Sequence, residues 1–310
     1  MQALEVLVGF GVAGTGFGVI LAVVGRAAAP ERRSMAMAIA TAAGSAGQVV
    51  GPPLAEALLG VMDWQGVFLV FAALVLASLM VLPLMRAPEK QSVEIEETMR
   101  ELLGRAFRDP SYTLIFVGFF SCGYQLGFIT AHFPALVTEM CAAIVPGSLL
   151  SNIGINDTAA LGAVAIGVIG LANIGGTLLA GHLGNLFPRK YLLAGIYTAR
   201  TIIAAAFILM PITPVSVLLF SAGMGALWLA TVPLTAGLVG HLYGLRYMGT
   251  LYGVVFFSHQ LGAFMGVWLG GALYDIYGTY TAVWWLGVGV GAFSAIVHLP
   301  IREDRGMVAA

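Results

Sequence analysis

Six side chains able to do chemistry stand inside otherwise apolar stretches of this 310-residue sequence: Gln125, Asn173, Arg200, Trp228 and the adjacent pair His259-Gln260. Polar groups in such surroundings are expensive, and by default they mark a substrate path or a coupling site. Gln125, and Asn173 in the same way, can hydrogen-bond a ligand, while Trp228 can wall a pocket. His259 can bind substrate or carry a proton near neutral pH; its alternative is a hydrogen bond to a neighbouring helix. Arg200 offers a fixed cation to an anionic group, or else its long stem snorkels to the surface or it joins an ion pair. Tyr124 and His132 are further polar positions on the stretch that holds Gln125.

No catalytic set emerges beside them. Ala43-Gly44-Ser45-Ala46-Gly47 misses the nucleophile elbow by one residue. There is neither a His-Glu-x-x-His pair nor a cysteine cluster for a metal. Gly9-Phe10-Gly11-Val12-Ala13-Gly14 has dinucleotide-binding spacing, but the chain after Arg33 runs into another long apolar stretch instead of alternating strand and helix. Glu5 and Glu56 stand near run ends, too far out for a carboxylate dyad. The expectation is a protein that is not an enzyme, with no cofactor and no metal.

Positioning these residues falls to nine apolar runs, at about 3–24, 35–60, 64–84, 112–137, 158–184, 191–210, 215–240, 248–273 and 281–300. Runs of roughly 20 residues are long enough to cross a bilayer as helices. The expected fold is therefore an all-α polytopic membrane protein with nine transmembrane helices. Composition agrees: 9% of residues are charged and 59% hydrophobic, too few charges to cover a water-soluble fold. A net charge of −1 excludes nucleic acid as a partner. The expected partners are the lipid bilayer and a small solute. Cys122 and Cys141 lie at different depths and do not form a disulfide framework.

Every Arg and Lys except Arg200 falls between runs, and in alternate gaps: Arg26 to Arg33, Arg86 to Arg108, Arg189 with Lys190, Arg246, and Arg302 with Arg305. The other gaps hold Asp63, Glu139, Asp157 and Asp275. Basic loops stay cytoplasmic, which places residues 85–111 and the C-terminus on that side of a plasma membrane, a bacterial inner membrane by composition. Within 85–111, Ile95, Met99, Leu102, Leu103, Ala106 and Phe107 recur at helical spacing, the pattern of an amphipathic helix on the membrane face.

A shift of 215 residues lays Gly25-Arg26 on Gly240-His241, Gly47 and Gly51 on Gly262 and Gly266, and Leu54 on Leu269. Residues 1–84 then read as a partial N-terminal bundle of three spans. Residues 112–300 read as a six-span bundle, joined to the first by 85–111 and followed by a tail at 301–310. Two six-span halves repeated in parallel form a transporter architecture. The expectation is that three further spans belong before residue 1, and that these 310 residues alone transport poorly or not at all. Gly44, Gly47 and Gly51, and again Gly262, Gly266 and Gly270, form small-residue stripes suited to close helix packing.

Gly181-His182-Leu183-Gly184-Asn185 followed by Pro188-Arg189-Lys190 resembles the signature loop of the major facilitator superfamily between spans eight and nine. That pattern has Asp where Asn185 stands and Gly where Pro188 stands. Gly47-Gln48-Val49-Val50-Gly51-Pro52 resembles the fifth-span motif linked to antiporters, and Leu7 stands where the fourth-span motif carries Arg. Gly25-Arg26 with Pro30-Glu31-Arg32-Arg33 is similar to the monocarboxylate porters and oxalate/formate antiporters, whose eighth-span Arg is replaced here by Asn173 and Thr177. The resemblance covers essentially the whole chain. It implies a secondary active transporter that moves a small organic solute, an organic anion such as a monocarboxylate, by alternating access, with His259 for a coupled proton. Efflux of hydrophobic compounds, or a non-transporting scaffold or sensor derived from a transporter, are the alternatives.

Overall fold

The computed structural model describes residues 7–9, 11, 16–80 and 98–303. Glu5, Arg86, Lys90 and Arg305 lie outside the described residues, as do the side chains of Gln48, Pro52 and Glu56. The first expected run is represented by α1 (Phe17–Ala27), the second by α2 (Arg33–Leu59) and the third by α3 (Trp64–Ser78). Within the charged connection at 85–111, the described helix is α4 (Met99–Arg108). Thr98 caps α4 reciprocally with Glu101, and the hydrogen bonds from Thr98 hold the Glu101 carboxyl below its ordinary range.

Six helical segments that follow are long and apolar enough to cross a membrane. They are α5 (Pro110–Met140), α6 (Thr158–Leu186), α7 (Arg189–Leu209), the broken pair α8 (Pro214–Leu227) and α9 (Thr231–Tyr243), α10 (Met248–Tyr277) and α11 (Thr281–His298). Asp109 caps α5, Asp157 caps α6 and Thr213 caps α8, each side chain accepting from a backbone N–H of the first turn. The run at 215–240 was expected to be one continuous helix, and the structure corrects this. Pro233 has no N–H and its ring crowds the carbonyl four residues back, at Leu229. The helix therefore stops at Leu227 and restarts at Thr231.

The six segments form one bundle in which α5 packs most closely on α10, with α11 on α7 and α6 on α8. Small polar residues stitch it together: Tyr112 donates to Leu251 O at 2.9 Å, Ser258 to Phe116 O at 2.7 Å, and Ser294 to Gly118 O at 2.8 Å. Such bonds satisfy groups that hydrocarbon would leave unpaired. The N-terminal helices meet this bundle at its basic end. There α1 lies against α9 and α10, and α2 lies against α6 and α9.

Candidate functional site

The break between α8 and α9 gathers most of the expected site residues. A helix that stops in mid-bundle exposes carbonyls on one side and N–H groups on the other, and the two sets are met by different side chains. Arg200, from the middle of α7, points into the bundle and is fully buried. Its Nε donates to Leu227 O at 3.2 Å and its Nη2 to the same oxygen at 2.6 Å and to Trp228 O. Its Nη1 donates to Gln125 Oε1 at 3.4 Å and to Cys122 Sγ at 3.6 Å. All five donors are used. A guanidinium at a helix C-terminus also meets the negative end of the dipole of α8. The snorkelling expectation for Arg200 is corrected: the side chain turns inward, and its acceptors are carbonyls, an amide oxygen and a cysteine sulfur.

Asn173 holds the other side of the break. Its Oδ1 accepts from Leu229 N and from Thr177 Oγ1, both at 2.9 Å, and its Nδ2 donates to Ser45 Oγ of α2 at 2.7 Å. Asn173 is thus a cap on the break that also ties the two halves of the chain together, its side chain fully buried. Asn173→Ala leaves the Leu229 N–H and two hydroxyls without this partner, a cost of about 1–3 kcal/mol for a buried donor. The expected result is a clearly lower unfolding temperature in detergent with unchanged helix content by circular dichroism.

Gln125 completes the clamp from α5, donating to Gly287 O at 3.3 Å while its oxygen takes Arg200. With Phe128, Ile129, Ala204, Met224, Trp284 and Gly287 it borders a cavity of about 10 Å³, room for about one water molecule. Trp228 contributes its carbonyl, and its side chain is buried. One helix away, His259 stacks on Phe256 at 5.1 Å and lies 5.0 Å from Phe119. Its Nδ1 faces Gln260 Oε1 at 3.2 Å, and Nε2 meets no partner among the described residues. Gln260 itself is exposed. His132 lies apart from this group, donating to Val267 O at 2.9 Å.

The signature loop forms a second assembly at the basic end. Gly181 and Gly184 face Ala38 and Ser34 of α2 so closely that a side chain at either would collide. Asn185 is exposed. Glu303, which the sequence placed in a tail, folds back over the start of α7: its carboxylate accepts from Arg189 N at 2.9 Å and Lys190 N at 3.0 Å, and pairs with Arg189 Nη1 at 3.4 Å. A carboxylate at a helix N-terminus offsets the positive dipole end. Lys190 turns over the Tyr191 ring at 4.9 Å. Glu303→Gln removes that charge, and the expected loss is about 0.3–1 kcal/mol, read as a small drop in unfolding temperature that high salt in wild type reproduces.

The glycine stripes divide. Gly262 and Gly266 lie directly on the backbone of α5, whereas Gly47 and Gly51 meet nothing within 4 Å among the described residues. The halves touch through Gly18 on Gly253, Gly25 on Met248 and Ser45 on Asn173. Cys122, Thr231 and Glu303 were not singled out for the site from the sequence. Pro233, ten residues before the basic-end terminus of α9 at Tyr243, was the available signal for the break.

Comparison with known proteins adds relatives. A profile described as Major Facilitator Superfamily matches residues 1–267. A Bacillus subtilis (strain 168) protein described as an uncharacterized MFS-type transporter, YcxA, is 26% identical over 287 residues, which is 88% of this chain and 65% of that protein. The chain thus spans less than two thirds of that relative. Among solved structures, the E. coli fucose:proton symporter FucP is similar with a TM-score of 0.65 at 14% identity, covering 91% of this chain and 72% of that one. A second structure of FucP, in the outward conformation, gives a TM-score of 0.65 over 91% and 71%. At that identity the likeness speaks to fold alone.

Proposed function

Because the chain belongs to the major facilitator superfamily, a family of membrane transporters, we propose that it serves secondary active transport of a small organic anion such as a monocarboxylate, coupled to a proton at His259. One observation carries the substrate class. The Arg200 guanidinium is buried in the bundle and meets no carboxylate among the described residues. The dipole of α8 offsets about half a charge, so a net positive field remains around the break. A carboxylate about 8 Å from that residual half charge, at an effective dielectric of about 20, gains about 1 kcal/mol over a neutral isostere, roughly a sixfold preference. Arg200 acts through its field, since its donors are all engaged.

Contacts of α2 on α6 that run from Ser34 to Ser45, with nothing within 4 Å of Gly47 and Gly51 among the described residues, fit a carrier closed toward the cytoplasm and open outward. The positive-inside rule supports that orientation in a cytoplasmic membrane. The test is uptake by natural-length protein in liposomes, with labelled lactate, a neutral hexose and an apolar dye offered separately. Lactate uptake driven by an acid exterior is the expected result. Hexose uptake of equal size would sink the anion assignment, and dye movement alone would mark the protein as an efflux carrier.

A further inference from the structure

Arg200 brings a full charge into the bundle, and among the groups that accept its hydrogen bonds Cys122 alone can become an anion. Cys122 is wholly buried, its Sγ 3.6 Å from Arg200 Nη1 and 3.2 Å from Thr231 Oγ1. Burial works against a thiolate, and the guanidinium and a hydroxyl donor beside the sulfur counter that cost. The thiol proton also has a destination. The His259 ring lies 5.0 Å from Phe119, one turn before Cys122 on α5, and the backbone of α10 at His259 lies on Gly123. Its Nδ1 faces the Gln260 amide oxygen at 3.2 Å, which puts the ring proton on Nδ1 and leaves Nε2 as an acceptor. His259 is 7% exposed and nothing among the described residues meets Nε2.

We propose that Cys122 and Arg200 form a buried thiolate–guanidinium pair, and that Cys122 together with His259 is the proton-binding site of this bundle. The step closes within the chain: the S–H bond breaks, its electron pair stays on sulfur, and an N–H bond forms at His259 Nε2. Of the other titratable groups, Tyr197 of α7 and Tyr252 of α10 face the thiol, and His298 of α11 stacks on Tyr197 at 5.0 Å. No carboxylate among the described residues reaches it. This assignment rests on the anion–proton reading above and gives it a coupling rule. Protonating the thiolate removes the internal counter-charge of Arg200, so its field becomes available to a substrate carboxylate. Proton and anion therefore bind together, each strengthening the other by the same factor.

Infrared spectroscopy of natural-length protein in lipid tests this through the S–H stretching band. Cys141→Ser, with any cysteine outside these 310 residues also replaced by Ser, leaves Cys122 as the only thiol. That variant is expected to lack the band at about pH 8 and to gain it reversibly on acidification. Lactate at saturation is expected to move its appearance about one pH unit upward for tenfold coupling. Adding Arg200→Gln is expected to restore the band at about pH 8; should that double variant misfold, the pH titration of Cys141→Ser decides alone. A band already present at about pH 8 in Cys141→Ser overturns the ion pair, without bearing on lactate uptake. A band still missing at about pH 4 overturns the proton-site half. An absent band in a protein that does not move lactate upholds the pair and sinks the anion assignment.

Discussion

Gly262→Leu yields no folded protein, while Gly47→Leu folds as wild type does and transports nothing. The two glycines hold equivalent places in the 215-residue repeat, yet their surroundings differ. A Cβ at Gly262 would collide with Phe120 O and come within 2.9 Å of Tyr124 N and 3.0 Å of Phe120 C. Gly123 answers from the other helix, where a Cβ would strike His259 O and lie 2.9 Å from Ala263 N. The obstacle on both sides is backbone, which cannot rotate away. Overpacking a core that can relax costs about 1–3 kcal/mol. Here α5 and α10 must separate along the closest contact in the bundle, so the loss belongs with the exceptional values above about 4 kcal/mol. At Gly47 there is open space in this arrangement, and an exposed helical leucine is even favoured over glycine by about 0.8 kcal/mol. Its expected harm is to motion, because α2 must close on α6 when the carrier opens at its basic end. Size-exclusion profiles in detergent, followed by lactate uptake, check both halves. A monodisperse Gly262→Leu with a wild-type unfolding temperature would contradict the packing argument.

Hydropathy and charge alternation made the helices legible, because the cost of exposing backbone to lipid imposes long apolar runs and the basic loops mark one side. The partners of Arg200 were not legible. An arginine nine residues into a run has a stem long enough to reach water, and only the rotation of α7 about its axis decides whether it points outward or into the bundle. Pro233 was readable as a breaker, but spanning helices tolerate proline, so sequence alone does not separate a kink from the three-residue gap between Leu227 and Thr231. Asn173 looked like Gln125 in kind; tertiary contact made one a cap and the other part of a clamp on the guanidinium. Cys122 is a mid-run cysteine until Arg200 arrives from another helix. Glu303 follows the last apolar run, and nothing local announces that it returns to the start of α7.

Arg200→Met closes the break in the α8–α9 span and abolishes transport. Two effects oppose each other at this residue. Losing a charge from mid-membrane gains about 2.5–3.5 kcal/mol on the insertion scale. Losing its donors strands the Leu227 and Trp228 carbonyls and the Gln125 amide oxygen, and each buried acceptor left unpaired costs about 1–3 kcal/mol. The second effect wins only while the break persists. The chain can escape it by winding Trp228, Leu229 and Ala230 into helix, which lets backbone donors take those carbonyls, limited by the missing N–H of Pro233. The variant is therefore expected to keep much of its thermal stability while losing the geometry that Asn173, Gln125 and Arg200 hold in common. Hydrogen exchange reads this directly. The amides of Trp228 to Val232 should become more protected in Arg200→Met, and lactate uptake should fall by at least about a hundredfold, the scale of losing roughly 3 kcal/mol of stabilisation. Arg200→Lys separates charge from geometry, since one ammonium keeps the field but lacks the planar fork that reaches two carbonyls and an amide together. It should retain anion selectivity at a much lower rate. If Arg200→Met transports at wild-type speed with unchanged exchange at the break, the guanidinium clamp is not what holds that helix apart.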